Sequence, residues 1–501
     1  MKKLFKTILA SVLALTTIGL TSCFANNGDY GNSSVNGGGS KLEHISNPWW
    51  TTTGTLNKDA NGAPKFENVT INLTTIVTGS DYKPFQELVA EFNKVHQGQI
   101  QVNVVNENEA TFAQNLGNRI QNNNNPPDLL MSHAKLQKTL ANKKWTQPLE
   151  DIVEATGYEM NWDNYSYVLA SEATLGYDNA TFTIPIDMQS EVVLYNKTIL
   201  NELGKNVPTT RSELLDVCAA FKAKYSTSDG YYAISMPTNN HHFHPYVYPT
   251  AYLQNGGSLY NVNNYKAEWT SDVNSQAFAD ANEAILSLVE ADYMKLNETE
   301  GTAQNRFNKE QTLFLVIPPW NIMNSGGVFQ TYAEENNISK NDANYVANVC
   351  QHIGGMSLSG LFAMDESKPY AESVYVDSHS FSISTSVKDI NKKAACLYFA
   401  KWFTENGEIG AKWAQAGHSS CSATIINSDA YKNDVFVKNL IQNFYDVNVI
   451  KTMGNNPYSD DLVEALGGLT PSLLSRPTQL EDLIKQKQKA YNGIIELNEE
   501  Y

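Results

Sequence analysis

The chain has 501 residues, of which 42 % are hydrophobic and 18 % charged, ordinary values for a soluble globular protein large enough for two or three domains. Its formal net charge is −17, and because residues 1–22 carry Lys2, Lys3 and Lys6 with no acid, the remainder stands at −20. Such acidity argues against nucleic acid or an anionic membrane surface as partner, and it disfavours a highly anionic ligand.

In chain order, Lys2-Lys3 forms a positive start, residues 8–20 a short apolar run, and Leu20-Thr21-Ser22-Cys23 follows. The tetrapeptide resembles the bacterial lipobox. Residues 1–22 are therefore expected to be a lipoprotein signal peptide and Cys23 the lipidated residue, which places the protein outside the cytoplasm on the cell membrane. No later run reaches 18 apolar residues, so no further bilayer span is expected. Residues 23–65 read as the lipidated Cys and a flexible tether, with Asn, Gly and Ser dominating to Ser40. Trp49 and Trp50 suggest that part of this stretch packs on the body. The run from Asn57 to Gly62 imitates the start of a calcium loop, but Asn68 occupies the twelfth position and Glu67 comes one place early. It reads as an Asn/Gly turn.

From Val69 the pattern is regular. Val69, Ile71 and Leu73 alternate as a strand, and Phe85, Leu88, Val89 and Phe92 recur at helical spacing. Ile100, Val102 and Val104 alternate again, Phe112, Leu116 and Ile120 mark a second helix, and Asp128 to Met131 forms a short buried strand after Pro126-Pro127. This βαβαβ order predicts a mainly parallel sheet covered by helices. Pro185 ends an extended segment, and Val192-Val193-Leu194-Tyr195 reads as a buried strand of another sheet. Residues 184–197 are thus a crossing between two lobes, with Asp187, Gln189 and Glu191 in it. Beyond it, Thr210-x-x-Glu213 caps a helix carrying Leu214, Val217, Cys218 and Phe221, and residues 231–235 form a strand. Phe278 to Val289 is helical, Leu313 to Ile317 a buried strand stopped by Pro318-Pro319-Trp320, and Phe381 and Ile383 alternate before a helix bearing Cys396. The predicted architecture is α/β with two lobes: residues 66–186 with 378–422, and residues 187–377 with 423–501. Cys218, Cys350, Cys396 and Cys421 have no metal spacing. They allow three pairings among which the sequence does not choose, while Cys218 and Cys396 lie on apolar helix faces as buried thiols.

The sequence contains no Gly-x-Ser-x-Gly, His-Glu-x-x-His or Gly-x-x-x-x-Gly-Lys motif. His241-His242-Phe243-His244 is the best metal candidate, but no further ligand stands at metal spacing, and a polar cleft-edge or surface loop is the reading adopted. The remaining candidates are loop aromatics. Trp320, followed by Asn321, comes directly after a buried strand, and Tyr246 and Tyr248 flank Val247 between Pro245 and Pro249. Each could plug the core or face a ligand. An aromatic face beside carboxylates and amides suits a sugar, whose C–H face stacks and whose hydroxyls need fixed polar partners.

The order of these segments resembles the family 1 extracellular solute-binding proteins of bacterial ABC importers, which include maltodextrin binders. Phe92 to Ile100 is similar to the family's Phe-x-x-x-x-Pro-Gly-Ile helix end, with Gln97 in the place of Pro and Gln99 in the place of Ile. Asn124 to Leu129 resembles its Gly-x-x-Pro-Asp-Val step, and the crossing that closes on Tyr195-Asn196-Lys197 matches its crossover. Val207 to Leu214 is similar to Pro-x-Thr-Trp-x-Glu-Leu, with Arg211 for Trp. Phe307 to Trp320 follows Phe-x-x-Gly-x-Ala-Ala-Met…Gly-x-Trp, with Glu310 and Pro318 for the glycines.

The resemblance implies a type II, two-lobed periplasmic-binding-protein-like fold closing on a carbohydrate and delivering it to the transmembrane permease of an ABC importer. It implies a monomer, with no catalysis, cofactor or metal. The site residues it implies are Trp320, Tyr246 and Gln189, with Thr78, Gly79 and Ser80 after the first strand and Ser132 and His133 after the third. Asn321, Ser378 and His379 lie beside these segments, and Asp187 is added because strand alternation puts 187 and 189 on one face. The alternatives are a secreted carbohydrate-active enzyme, or a binding protein for a glycerol phosphodiester or a peptide.

Overall fold

The structure is a computed structural model describing residues 48–158, 160, 162–165, 180–239, 243–454 and 456–499. Cys23 and the signal segment, together with His241 and His242, lie outside the described residues. The chain lays down β1 (Val69–Thr75), β2 (Ile100–Asn106), β3 (Leu129–His133) and β4 (Thr183–Pro185). It crosses through β5 (Asp187–Met188) into β6 (Val192–Asn196), β7 (Tyr232–Ser235), β8 (Thr312–Ile317) and β9 (Ile353–Met356). After β10 (Val374–Tyr375) it returns as β11 (His379–Ile383) and ends with β12 (Ser419–Ser420) and β13 (Ile450–Lys451).

The first sheet has the order β2-β1-β3-β11-β4. β1 is parallel to β2 and β3, as the βαβ pattern predicts, but β11 runs antiparallel to both β3 and β4. The reason is topological: β11 enters from the other lobe, against the direction of the strands that begin in this one. Helix Tyr82–Val95 buries Phe85, Leu88, Val89 and Phe92 against one face, joined by helix Ile390–Glu405. Phe112, Leu116, Leu136 and Leu140 from two other helices cover the opposite face. Trp50 is buried against Phe182 and Ala141, and Trp49 stacks on Phe182 at 6.0 Å, so residues 49 and 50 belong to this lobe's surface. Asp59 Oδ1 accepts from the amides of Asn61 and Ala63, forming the expected turn.

The second sheet has the order β7-β8-β6-β9, with β6 antiparallel to both neighbours. Its period-2 pattern feeds two cores. Val193 and Val316 face helices Arg211–Lys224 and Asp272–Glu290, while Val192, Leu194 and Leu315 face helices Glu300–Asn308 and Val328–Glu335. Two long helices close the chain, Ser459–Ser475 and Leu480–Glu499, and Leu462, Leu466, Leu473 and Tyr491 join the first of these cores. The sequence reading had not singled them out. Tyr248, expected on a loop, opens helix Tyr248–Gln254 and is buried, its hydroxyl donating to Asn282 Oδ1 at 2.6 Å. Cys218, Cys350, Cys396 and Cys421 are buried and form no disulfide with one another.

Candidate functional site

The crossings between the two sheets lie side by side. β5 pairs antiparallel with β12, and Gln189 and Asp377 form an isolated antiparallel bridge. Between the sheets opens a cavity of about 770 Å³, a size suited to a small-molecule ligand. Thr78 and Gly79, from the turn after β1, line one side, with His133 at the end of β3. Gln189 and His379 come from the crossings, and Tyr246 and Trp320 from the second lobe. Of the expected site residues, the cavity therefore gathers Thr78, Gly79, His133, Gln189, His379, Tyr246 and Trp320.

Five others fall outside the lining. Ser80 is exposed and its hydroxyl donates to the Trp320 carbonyl at 3.4 Å. Ser132 and Ser378 are fully buried in the first lobe, Ser378 Oγ donating to the His379 carbonyl. Asn321 is engaged with Glu300. Asp187 has no exposed surface: its Oδ1 accepts the His379 amide at 2.8 Å, and its Oδ2 accepts the Trp413 indole N–H at 2.9 Å and meets His379 Nδ1 at 2.9 Å. Asp187 and Gln189 do share a side of the strand, since Gln189 Nε2 lies 2.7 Å from His133 Nδ1 and the His133 and His379 rings stack at 4.9 Å. Only Gln189 reaches the cavity; Asp187 supports the floor from below.

The floor is a ladder of imidazoles between carboxylates. His418 Nε2 lies 3.0 Å from Asp81 Oδ2, and its ring is stacked on Trp413 at 4.1 Å and 5°. Burial opposes charge on His418, but the adjoining Asp187 and Asp81 carboxylates prevail and push its pKa up to about 9. Burial likewise works against ionised Asp187, and the imidazoles of His379 and His418 nevertheless hold it well below the carboxylate range. At the other end, His133 Nε2 and Lys135 Nζ each stand 3.3 Å from Glu109 Oε1. The charge on His133 is the main cause of a strongly lowered Glu109 pKa, against its burial. The paired histidines make this floor a fixed array of polar groups, which a ligand hydroxyl can address without reorganising the protein.

Sequence reasoning missed Asp81, Glu109, Lys135 and His418, and all of the C-terminal helix pair, which adds Asp461, Glu464, Lys487 and Tyr491 to the lining. Asp81 directly follows the Thr78-Gly79-Ser80 turn, a signal that was available. Glu191, which the crossing left open, faces neither water nor cleft. It is buried with both carboxylate oxygens lacking hydrogen-bond partners, and burial, aided by repulsion from Glu300, raises its pKa well above the ordinary value. Expected as a polar cleft-edge or surface loop, the stretch around His244 and Tyr246 lies at the cavity but is a helical turn, Phe243–Val247, from which both residues reach it.

Comparison with solved structures places the fold. The GacH receptor of Streptomyces glaucescens GLA.O, solved unliganded and with acarbose, matches with a TM-score of 0.62 at 16 % identity, over 85 % of this chain and 98 % of that one. A solute-binding protein from Thermotoga lettingae TMO bound with alpha-D-tagatose gives 0.62 at 16 %, over 85 % and 100 % of the two chains. The MalE domain of Bdellovibrio bacteriovorus bound to maltotriose gives 0.60 at 16 %, over 85 % and 100 %. These are two-lobed binding proteins, and the fold is theirs. No curated protein matches the sequence. The profile described as bacterial extracellular solute-binding protein matches residues 77–348. With more than half of its length matched, the chain belongs to the bacterial extracellular solute-binding proteins.

Proposed function

We propose that this protein is the carbohydrate-capturing subunit of an ABC importer, held to the outer face of a cell membrane through Cys23 and handing its ligand to a membrane permease. The observation that carries the reading is the cavity lining. Trp320 and Tyr246 offer aromatic surface on the second-lobe side, opposite a floor of Gln189, His133 and His379. Sugars need that combination, because their C–H faces are apolar and each buried hydroxyl requires a partner. Among the described lining residues there is no arginine, Lys135 is paired with Glu109, and Lys487 is outnumbered by Asp461 and Glu464 on the same helix pair. A neutral sugar suits this better than a phosphodiester or a peptide carboxylate.

Binding works by closure. Residues 186–189 and 377–380 form the hinge, and the ligand shifts an open–closed equilibrium by its greater affinity for the closed form, in which both lobes touch it. The two lobes of the closed form together present the surface that the permease reads. No residue is required to make or break a bond. Titration calorimetry of the soluble chain against maltodextrins, monosaccharides, glycerol phosphodiesters and peptides tests the reading. One or more sugars should bind at micromolar concentration or below, and Trp320→Ala should weaken them about tenfold, or ~1.4 kcal/mol. Equal affinity of Trp320→Ala for every sugar would remove the stacking role, and binding restricted to phosphodiesters or peptides would overturn the sugar reading.

A further inference from the structure

Beneath the cavity floor, Asp187, His379 and His418 each offer a ligand-type atom, and these three atoms all lie within 4.8 Å of one another. They come from three separate segments: Asp187 from β5, His379 from the start of β11, and His418 from the residue before β12. All three side chains are buried. The hydrogen bonds around them fix these three atoms next to one another. Asp187 Oδ1 is occupied by the His379 amide and one lone pair of Oδ2 by the Trp413 indole N–H, so the remaining Oδ2 lone pair is the one that His379 Nδ1 meets at 2.9 Å. Asp81 accepts from His418 Nε2, which leaves Nδ1 facing Asp187 Oδ2 at 3.3 Å. That buried Nδ1 has no hydrogen-bond partner of acceptable direction.

We propose that Asp187 Oδ2, His379 Nδ1 and His418 Nδ1 form a binding site for one divalent transition-metal ion of the zinc type. A tetrahedral ion with bonds of about 2.0–2.1 Å separates neighbouring ligand atoms by about 3.3–3.4 Å, and the Oδ2 to Nδ1 distance of His418 is already 3.3 Å. The His379 Nδ1 to Oδ2 distance, 2.9 Å, is that of a hydrogen bond, and it opens by a few tenths of an ångström when the ion replaces the proton. Two imidazoles and one carboxylate suit zinc, cobalt, nickel or copper, and not the oxygen-seeking calcium or magnesium. Asp81 supplies the carboxylate that histidine ligands need on their second nitrogen. Proton balance is simple. The His379 proton moves from Nδ1 to Nε2, and the proton that the two carboxylates otherwise retain on His418 leaves to solvent. His379 and Asp81 also line the cavity, which is the route of entry. An ion here ties β5, β11 and the segment before β12 to one point, and so braces the hinge. This inference stands independently of what the cleft binds.

The test uses the tag-free soluble chain, stripped with chelator and titrated with Zn²⁺ by calorimetry and with Co²⁺ by visible absorption. Wild type should bind one ion per chain, and Co²⁺ should show the intense bands of a tetrahedral site. His418→Gln and His379→Gln should each lose at least a hundredfold in affinity. Asp81→Asn, which alters a positioning residue and no ligand, should lose about tenfold and keep the Co²⁺ band shape. A variant carrying His241→Ala, His242→Ala and His244→Ala should bind as wild type, which separates this site from the histidine run. Thermal unfolding in chelator checks that each variant folds; if one ligand variant does not, the other and Asp81→Asn decide the matter. Absence of a one-to-one wild-type site, its survival in His418→Gln or His379→Gln, or its loss in the triple alanine variant overturns the assignment.

Discussion

Gln189 and Asp377 exchange both of their backbone hydrogen bonds, each amide donating to the other residue's carbonyl at 2.9 Å. Two crossings nearly 190 positions apart in sequence are thereby tied at one residue pair, and Gln189 carries its side chain from that tie to His133 in the cavity. Under the proposed closure, a ligand gripping Gln189 would act directly on the tie between the two crossings.

Gly417 is where this arrangement tolerates least. It has φ +96°, a left-handed conformation that L side chains rarely adopt, and a Cβ there would stand 2.4 Å from the carbonyl carbon of Pro319 and the amide of Trp320. The approach joins the segment after helix Gly407–Gln415 to the turn that presents Trp320. Gly417→Ala should lower ligand affinity at least tenfold and reduce stability by about 1–3 kcal/mol, read by calorimetry and urea unfolding. Unchanged affinity would mean that the Pro319 contact plays no part in binding.

Glu191 makes stability fall as pH rises. Its folded pKa is raised, so between its unfolded value and its folded value the native state holds a proton that the unfolded state has released. Across that window it costs up to about 1.4 kcal/mol per pH unit. Glu300, Tyr246 and Tyr445 face it, and none supplies a countercharge. Glu191→Gln should leave stability at pH 4 nearly unchanged and raise it at pH 8, as measured by urea midpoints at the two pH values. A variant with the same pH slope as wild type would show that Glu191 ionises freely in the fold.

The four cysteines should behave as core residues. Burial raises the thiol pKa of Cys218 and pushes that of Cys350 up to about 12, and none of the four is in a disulfide. A chain beginning after residue 40 should show no rapidly reacting thiol when native and four in guanidinium. Its Tm should be the same with and without reductant; a fall in Tm on reduction would demonstrate a disulfide.

Trp50 should matter more than its place near a tether suggests. It is 6 % exposed, its indole N–H donates to Asp151 Oδ2 at 2.9 Å, and nearby Lys393 Nζ donates to the Thr51 carbonyl at 3.0 Å. Trp50→Ala should cost about 3 kcal/mol, visible as a lower denaturant midpoint, whereas truncation before residue 41 should cost nothing measurable.

The alternation of Val69, Ile71 and Leu73, the helical spacing of Phe85 to Phe92 and the cap at Thr210 are local patterns. Burial periodicity follows from the geometry of a strand or helix, so these elements were legible without any partner being known. The crossing was legible too. Its closing Asn196 accepts from the Ile199 amide at 2.9 Å and starts helix Lys197–Glu202 as β6 ends. What tertiary structure alone decided is which groups of that crossing reach the cavity. Alternation correctly placed Asp187 and Gln189 on one side, but Asp187 is claimed by His379, Trp413 and His418, which stand 192 or more positions later in the chain. The helices that carry Asp461 and Tyr491 to the cavity come from a still more distant segment. Convergence over such separations leaves no period in the sequence, because it depends on how two lobes pack and not on how any one segment folds.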